Sequence, residues 1–186
     1  MAFAFETTDN AKFEDMKKYA ASLTNHFEIG AAGTHISTLT YSNSPGSLQS
    51  FSSSYEESKV KANIQALKSN GGTTNNMASM FQYARENVFN LKNFVRQGQP
   101  RVLVVFTYGN YPTADAAKAE EQARLLRTGE DVRIVIVNGG SKEQNSFLEN
   151  LVSAPVRSTL INLENAADAR DTDIRQRLSE EICAGL

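Results

Sequence analysis

The chain has 186 residues, of which 40% are hydrophobic and 22% are charged, and its formal net charge is -2. This length suits a single domain with its own apolar core, and the composition is that of a globular protein, not a disordered one. A charge so close to zero gives no general attraction to nucleic acid or anionic lipid. No apolar run approaches the roughly 20 residues that cross a bilayer. We therefore expect neither nucleic-acid binding nor membrane insertion.

Cysteine and histidine are scarce in this chain. Cys183 is the only cysteine, which excludes an internal disulfide framework and a cysteine-based zinc site. His26 and His35 are the only histidines and leave little for a histidine-rich metal centre. The N-terminus has no basic segment, and its apolar stretch is too short for a signal peptide. Met1 is either a natural start or an expression start placed inside a longer protein. We expect residues 1–186 to form one domain, excised from a larger protein.

Apolar spacing divides the first half of the chain into strands and helices. Phe13, Met16 and Phe27 belong to an amphipathic helix, for which Asp9 or Asn10 is the expected N-cap. The predicted elements, in chain order, are a strand that ends before the polar loop 6–10, a helix over 13–27, a strand over 34–41, a short antiparallel strand over 47–51, and helices over 56–68 and 74–89.

The second half of the chain alternates regularly between strands and helices. The apolar run over 101–107 is typical of a strand that is buried on both faces. The predicted elements are strands over 101–107, 131–137 and 158–163, and helices over 113–127, from the capping box of Ser141 and Gln144 to Val152, and over 171–183. This alternation indicates an α/β fold, a three-layer doubly wound sandwich with a mainly parallel central sheet, one antiparallel edge strand and helices on both faces.

Sequence motifs of the common α/β enzymes are absent. The loop after the first strand has no glycine, whereas a dinucleotide-binding fold needs Gly-x-Gly-x-x-Gly there. The phosphate-binding loop and the hydrolase motif Gly-x-Ser-x-Gly are also missing. Glu6 is the only carboxylate that falls at the end of a central strand. We therefore expect a protein that is not an enzyme.

Four stretches together resemble the von Willebrand factor A domain family, also called integrin I-like domains. Residues 13–20 resemble the family's first helix, and residues 27–43 resemble its turn and second strand. Gly71-Gly-Thr-Thr-Asn75 is similar to the family loop Gly-Gly-x-Thr-Asn, and residues 102–109 resemble the strand that ends in Thr-Asp-Gly. The resemblance covers essentially the whole chain and implies the strand order 3-2-1-4-5-6.

Members of this family often bind Mg²⁺ at a metal-ion-dependent adhesion site shared by three loops. By resemblance, Glu6, Thr8 and Asn10 stand for the motif Asp-x-Ser-x-Ser, Thr74 for the family threonine, and Tyr108 for an aspartate. A neutral phenol and a carboxylate that is one methylene too long suit Mg²⁺ poorly. We expect a degenerate site without metal or other cofactor, with Mg²⁺ as the less favoured alternative. Thr8, Asn10 and Thr74 would then cap helices and tie loops together.

The resemblance also implies a function, that of a secreted or extracellular protein-binding module for adhesion or matrix assembly. The implied ligand is a protein, with a collagen-like or other matrix component as candidate. The alternative is an intracellular scaffold module of the same fold that docks in a protein complex. Many family members pair a cysteine after the last helix with one before the first strand, so Cys183 either pairs with an upstream cysteine or is a free thiol.

The candidate ligand contacts lie on the loops that meet at the carboxyl ends of the strands, where such sheets open a crevice. They are Thr8, Asn10, Thr74, Tyr108, Asn110 and Tyr111. Tyrosine is a frequent binding residue because it offers a large apolar face and a hydroxyl at low entropic cost. We expect Tyr108 to fold inward and plug the vacant metal position, and Tyr111 to be exposed.

Overall fold

A six-stranded sheet organises the computed structural model, which describes residues 1–90, 93–109, 111–141, 145–163, 176, 178–180 and 182. The strands are β1 (Ala2–Glu6), β2 (Ser37–Tyr41), β3 (Pro45–Gln49), β4 (Arg101–Thr107), β5 (Val132–Asn138) and β6 (Leu160–Asn162). Their order in the sheet is β3-β2-β1-β4-β5-β6, and β3 alone runs antiparallel to its neighbour. The expected fold class and strand order are confirmed.

In the described part of the chain, six helices with defined bounds flank this sheet. They are α1 (Asn10–Leu23), α2 (Glu57–Gln65), α3 (Met77–Tyr83), α4 (Ala116–Gly129), α5 (Asn145–Leu151) and α6 (Val156–Thr159). A 3-10 turn follows α1, a π-helical turn extends α3, and a 3-10 turn precedes α4. None of the helices in the described ranges is both long and apolar enough to cross a bilayer.

Each face of the sheet packs its own core because successive side chains of a strand point to opposite faces. In β1, Phe3 and Phe5 lie on the face covered by α1 and α2, where both rings contact Phe106 of β4. Ala2 and Ala4 lie on the other face, which α3, α4 and α5 cover. The central strands are therefore buried on both sides, as their unbroken apolar sequences predict.

Four strands have other bounds than the sequence-based expectation, since β2 begins at Ser37 and not at 34, and β5 covers 132–138 and not 131–137. The antiparallel edge strand is Pro45–Gln49 and not 47–51. Proline is tolerated as the first residue of an edge strand, and Phe51 leaves the strand to pack against Phe89 in the core. The last strand is Leu160–Asn162, because the residues before it form α6, where the Thr159 hydroxyl bonds main-chain carbonyls.

Some expectations for the C-terminal part lie outside the described residues. Gln144 of the expected capping box and Cys183 are among these, as is most of the expected helix over 171–183. Of that segment, Leu178 and Ile182 are described, and both are helical and buried in the core on the α1 face.

Because neighbouring strands run parallel, the loops that follow them lie at the same end of the sheet. The loop after β1, the loop between α2 and α3 and the loop after β4 lie at the carboxyl end of the sheet. The first residues of β4 and β5 lie at the opposite end. The sheet therefore presents two separate loop surfaces.

Candidate functional site

Glu6, the last residue of β1, is the centre of a buried polar cluster at the carboxyl end of the sheet. Its side chain is only 1% exposed. Carboxylate Oε2 accepts three hydrogen bonds, from Asn75 Nδ2 at 2.8 Å, Thr107 Oγ1 at 2.6 Å and the Tyr108 main-chain N–H at 2.8 Å. Oε1 accepts a hydrogen bond from the Thr8 hydroxyl. One carboxylate thus joins three loops.

The environment of the Glu6 carboxylate opposes its ionisation. Burial raises the pKa of Glu6 because it strips water from the charged form. Hydrogen bonds from Thr107, Thr8 and the Tyr108 main chain act in the other direction, as does the more distant charge of Lys12. Glu6 forms no ion pair with any residue of the described part of the chain. The desolvated charge therefore depends on neutral donors.

Tyr108 turns inward beneath the loop that follows β1, as expected, and is 6% exposed. Its hydroxyl lies 2.9 Å from the main-chain oxygens of Glu6 and Asp9 and accepts the Asp9 N–H at 3.0 Å. Burial raises the pKa of this phenol, so the hydroxyl stays protonated and donates to one of the two carbonyls. The Lys12 ammonium lies over the ring, 5.5 Å from its centroid. Tyr108 thus links β4 to the first loop through its side chain.

The expected exposure of Tyr111 is wrong. Tyr111 is 8% exposed, and its ring packs against Phe147 of α5 with 5.3 Å between the ring centroids. Its hydroxyl lies 3.1 Å from the Thr107 hydroxyl, whose own proton goes to Glu6, so Tyr111 donates to Thr107. A buried polar partner and an aromatic neighbour together hold the residue inside.

The remaining candidate contacts differ in their roles. Asn10 and Thr74 are exposed, and Thr8 is half-buried with its hydroxyl on Glu6. The expectation that Asn10 and Thr74 cap helices is wrong, because Asp9 caps α1 and Asn76 caps α3 through their side-chain oxygens. Thr74 instead donates its main-chain N–H to the Asn43 side chain. Asn110 lies outside the described residues.

Asn75 is the site residue that sequence reasoning missed. It is 1% exposed, and its Nδ2 group donates to Glu6, to the Thr107 hydroxyl at 3.0 Å and to the Gly109 carbonyl at 3.2 Å. Among the described residues, its Oδ1 atom has no hydrogen-bond partner. The sequence signal for it is its place at the end of the Gly-Gly-x-Thr-Asn loop, next to Thr74.

Tyr41, at the end of β2, lies next to Glu6 and is the last member of the buried cluster. It pairs with Glu6 across the parallel strands and is fully buried. Burial raises the pKa of its phenol well above the ordinary value, and the nearby Glu6 carboxylate adds to the shift. The cluster therefore consists of one carboxyl group among neutral amides and hydroxyls.

This donor set does not fit a magnesium ion. Mg²⁺ requires near-octahedral oxygen ligands with carboxylate charge. Oε2 of Glu6 already accepts three hydrogen bonds, and the Tyr108 hydroxyl bonds the main chain of the first loop. The residues that the structure describes contain no group of three or more His, Cys, Asp or Glu side chains that could hold a metal ion.

Comparisons with known proteins agree with this architecture. The family model of the von Willebrand factor type A domain matches residues 5–175. Rat von Willebrand factor is 24% identical over 164 residues, which cover 87% of this chain and 36% of that protein. Human vitrin is 25% identical over 138 residues, which cover 74% of this chain and 20% of vitrin. The chain thus spans about a third or less of the length of these relatives.

Solved structures show the same fold. Proximal thread matrix protein 1 from the mussel byssus superposes with a TM-score of 0.83 at 12% identity, over 98% of this chain and 46% of the mussel chain. A second structure of that protein, with a zinc-occupied adhesion-site motif, gives a TM-score of 0.79 at 18% identity and covers 99% of this chain and 45% of its own. The match to the family model extends over most of the chain, from the end of β1 through β6, and includes the loops that hold Glu6, Asn75 and Tyr108. The chain therefore belongs to the von Willebrand factor type A domain family.

Proposed function

We propose that this domain is a non-enzymatic protein-binding module of a secreted adhesion or matrix protein, and that it binds its partner without a metal ion. Its family membership over residues 5–175 supports the first part. The relatives include von Willebrand factor, vitrin and a protein named for the matrix of the mussel byssal thread. A collagen-like or other fibrillar matrix protein is the partner class that we propose.

The hydrogen bonds of Glu6 are the observation that carries metal independence. Donors from three loops converge on this carboxylate: Thr8 from the first, Asn75 from the second, and Thr107 with the Tyr108 N–H from the third. A shared metal ion would link the same loops by charge. Here neutral donors and the Tyr108 hydroxyl link them, so the loops have a defined arrangement without a cation.

The proposed contact surface is the rim of these loops. Asn10 and Thr74 are its exposed members, and Thr8 lies half-buried between them and Glu6. Tyr108 and Tyr111 lie buried beneath the rim. They support the rim loops and do not offer an exposed ring to a partner. Asn110 follows Gly109 in the same loop and remains a proposed contact on its sequence position alone.

A binding assay with immobilised collagen fibrils and a second, non-collagenous matrix protein tests the proposal. We expect the wild-type domain to bind at least one of them equally in EDTA and in millimolar Mg²⁺. Asn10→Arg and Thr74→Arg should weaken this binding, because each places a bulky charge on the rim. Asn150→Arg makes a matched change at an exposed position on α5, where the Asn150 side chain donates to Glu120, and should bind as the wild type does.

Two results would contradict this proposal. Binding that EDTA abolishes and Mg²⁺ restores would show a working metal site. Binding that both rim variants retain would place the contact on another surface. If the domain binds neither matrix protein but co-assembles with an intracellular complex, the alternative scaffold function would replace the one proposed here.

A further inference from the structure

The chain contains two copies of the tripeptide Asn-Gly-Gly, at residues 70–72 and 138–140. Asparagine is one of the thermally labile residues. When glycine follows it, the next main-chain nitrogen can attack the side-chain carbon Cγ without an enzyme, because glycine has no side chain to block the approach and adopts many backbone conformations. The two copies share their local sequence, so a difference in their reactivity would come from the fold.

Asn70 lies in the loop between α2 and α3, and its side chain is exposed to solvent. Gly71 follows it with φ of +72°, and a Cβ atom built there would meet nothing within 4 Å. The Gly71 main-chain N–H donates to the Ser69 hydroxyl at 3.1 Å, at an exposed position. The nitrogen that would attack Asn70 therefore lies in open space, bonded to a hydroxyl of its own loop.

Hydrogen bonds to two other loops hold the Asn70 side chain. Oδ1 accepts the Thr7 hydroxyl of the loop after β1, and Nδ2 donates at 3.0 Å to the Ser44 main-chain carbonyl in the turn between β2 and β3. The bond from Thr7 draws electron density from Cγ, which favours attack on that carbon. Asn70 thus connects three loops of the rim, through bonds near the surface that can open without unfolding the domain.

Asn138 has the opposite environment. It is the last residue of β5 and is 0% exposed. Its Nδ2 group donates to the side-chain oxygens of Asn145 at 3.3 Å and Asn162 at 3.1 Å. The Gly139 N–H donates to the Thr107 main-chain carbonyl at 2.8 Å. The nitrogen that would attack Asn138 is therefore bonded to β4, and the side chain is buried among polar partners.

We propose that Asn70 is a site of spontaneous deamidation that alters the rim with time, and that Asn138 stays intact. The Gly71 nitrogen bonds to Cγ of Asn70, the Cγ–Nδ2 bond breaks, and Nδ2 leaves as ammonia with the proton that Gly71 loses. Water then opens the imide ring. Addition of water at Cγ gives aspartate, and addition at the main-chain carbonyl carbon of residue 70 gives isoaspartate. One water is consumed and one ammonia released, without oxidation or reduction.

Both products add a negative charge to the rim and change its loops. Aspartate keeps an acceptor for the Thr7 hydroxyl but has no Nδ2 donor, so a carboxylate oxygen would face the Ser44 carbonyl. Isoaspartate adds one methylene to the main chain ahead of Thr74, which is exposed on the rim, and Asn75, which donates to Glu6. The effect on partner binding rests on the proposed function of the rim, whereas the chemical change does not.

Mass spectrometry of the incubated domain tests the chemical change. One sample is kept folded at mildly alkaline pH and body temperature for several weeks, and a second is kept unfolded in guanidinium chloride. Trypsin places the two asparagines in separate peptides, 69–85 and 134–142. Fragmentation locates the gain of one mass unit, and isoaspartate methyltransferase labels the isoaspartate product.

The expected result is a difference that depends on the fold. In the folded domain, we expect conversion at Asn70 to be at least about tenfold faster than at Asn138, because only the loop of Asn70 opens locally. In the unfolded chain, the two asparagines should convert at similar rates, because they share the same tripeptide.

Variants connect the chemical change to the rim. Asn70→Gln keeps an amide but would have to close a larger ring, so it should not convert on the same timescale, and its melting temperature should be the same before and after incubation. Asn70→Asp carries the carboxylate from the start. We expect Asn70→Asp and incubated wild type both to melt below fresh wild type. Binding of incubated wild type to the matrix protein should fall in step with the loss of the Asn70 amide.

Three outcomes would overturn the proposal. The first is no conversion at Asn70 in the folded domain while the unfolded chain converts, because the bonds to Thr7 and Ser44 would then protect it. The second is equal conversion at Asn70 and Asn138 in the folded domain. The third is converted protein that melts at the temperature of fresh protein. Mass and melting temperature need no partner, so they decide this proposal even if the rim binds no matrix protein.

Discussion

The length of one side chain explains much of the chemistry at the rim. A glutamate at position 6 extends from the end of β1 far enough to accept hydrogen bonds from both Thr107 and the Tyr108 N–H on β4 and its loop. Burial makes that contact costly when the carboxyl group is charged, and no described cation pairs with it. Glu6 therefore joins the loops, but its contribution to stability depends on pH.

Replacing Glu6 by glutamine should reveal this dependence. The folded-state pKa of Glu6 is raised, so the folded protein binds this proton more tightly than the unfolded chain does. The contribution of Glu6 to the free energy of unfolding should thus fall as pH rises. The fall begins at about pH 4.3, the ordinary pKa of glutamate in an unfolded chain, and continues through the folded-state pKa. Glutamine does not titrate, so the free energy of unfolding of Glu6→Gln minus that of wild type should increase with pH.

Urea denaturation of both proteins between acidic and mildly alkaline pH measures that difference. All other titrating groups are common to the two proteins and cancel in the subtraction, except for groups coupled to Glu6 itself. A difference that stays constant would show that folding leaves the pKa of Glu6 unchanged, and one that decreases as pH rises would show that the folded state stabilises the charged form.

The Tyr108 hydroxyl bonds main-chain groups of Glu6 and Asp9, and Tyr108→Phe isolates this link. The change removes the hydrogen bonds to Glu6 and Asp9 and leaves the ring in place. We expect a loss of about 1–2 kcal/mol in the free energy of unfolding, measured in urea. Tyr55→Phe, at a partly exposed tyrosine, should cost less than about 0.5 kcal/mol. Equal effects in the two variants would mean that the Tyr108 hydroxyl contributes nothing specific.

At the scale of elements, β4 and β5 form the longest strand pair of the sheet. They pair in parallel over seven residues, from Arg101 with Val132 to Thr107 with Asn138. The apolar side chains between these ends are buried, on alternate faces. A large-to-small substitution in this strand pair would leave a cavity that water does not reach. The loss in the free energy of unfolding should therefore be close to that of a typical core substitution.

Val104→Ala tests the assignment of the central strands. Val104 is 0% exposed and packs in the core on the α1 face. We expect a loss of about 2–4 kcal/mol in the free energy of unfolding, from lost burial and a residual cavity. Val156→Ala, at the partly exposed start of α6, should cost well under about 1 kcal/mol. Similar costs at both positions would contradict the difference in burial.

The turn between α2 and α3 depends on backbone conformation and not on packing. Gly71 has φ of +72°, and a Cβ atom built there would contact nothing within 4 Å. We expect Gly71→Ala to cost about 1–2 kcal/mol, because only the left-handed backbone penalises it. Gly129→Ala, at the end of α4 and also without contacts, should be neutral or stabilising. Thermal denaturation compares the two variants with the wild type. A Gly71→Ala protein that melts at the wild-type temperature would contradict this account.

At the scale of the whole molecule, the sheet separates two loop surfaces with different chemistry. The rim at the carboxyl ends of the strands is rich in neutral amides and hydroxyls around one buried carboxyl group. The opposite end of the sheet, where β4 and β5 begin, carries the exposed Phe94 and the arginine Arg101. The fold holds these two loop surfaces at opposite ends of the strands.

Metal ions should not change the stability of this molecule. The donors on Glu6 and the inward Tyr108 leave no set of oxygen ligands suited to Mg²⁺ among the described rim residues. We expect the same melting temperature in EDTA and in millimolar Mg²⁺, Mn²⁺ or Zn²⁺. A ligand at 100 times its Kd would add about 2.7 kcal/mol, which calorimetry detects easily. A saturable increase that EDTA reverses would contradict this expectation.

The sequence by itself determined the architecture. Strands that are apolar throughout, such as 101–107, must be buried on both faces, and their alternation with helices allows few topologies. The same patterns and the resemblance predicted β4 to the residue and the inward position of Tyr108. These features follow from local spacing, residue type and the resemblance to one family.

Only the tertiary structure decided which side chains meet. Tyr111 has the sequence context of an exposed loop residue, but Phe147, 36 positions later, covers its ring, and the Thr107 hydroxyl accepts its proton. Asn75 bonds Glu6 across 69 positions, a contact that no local spacing encodes. Burial and hydrogen-bond pairing are set by neighbours from distant elements, and a pattern that reports periodicity along the chain carries no information about them.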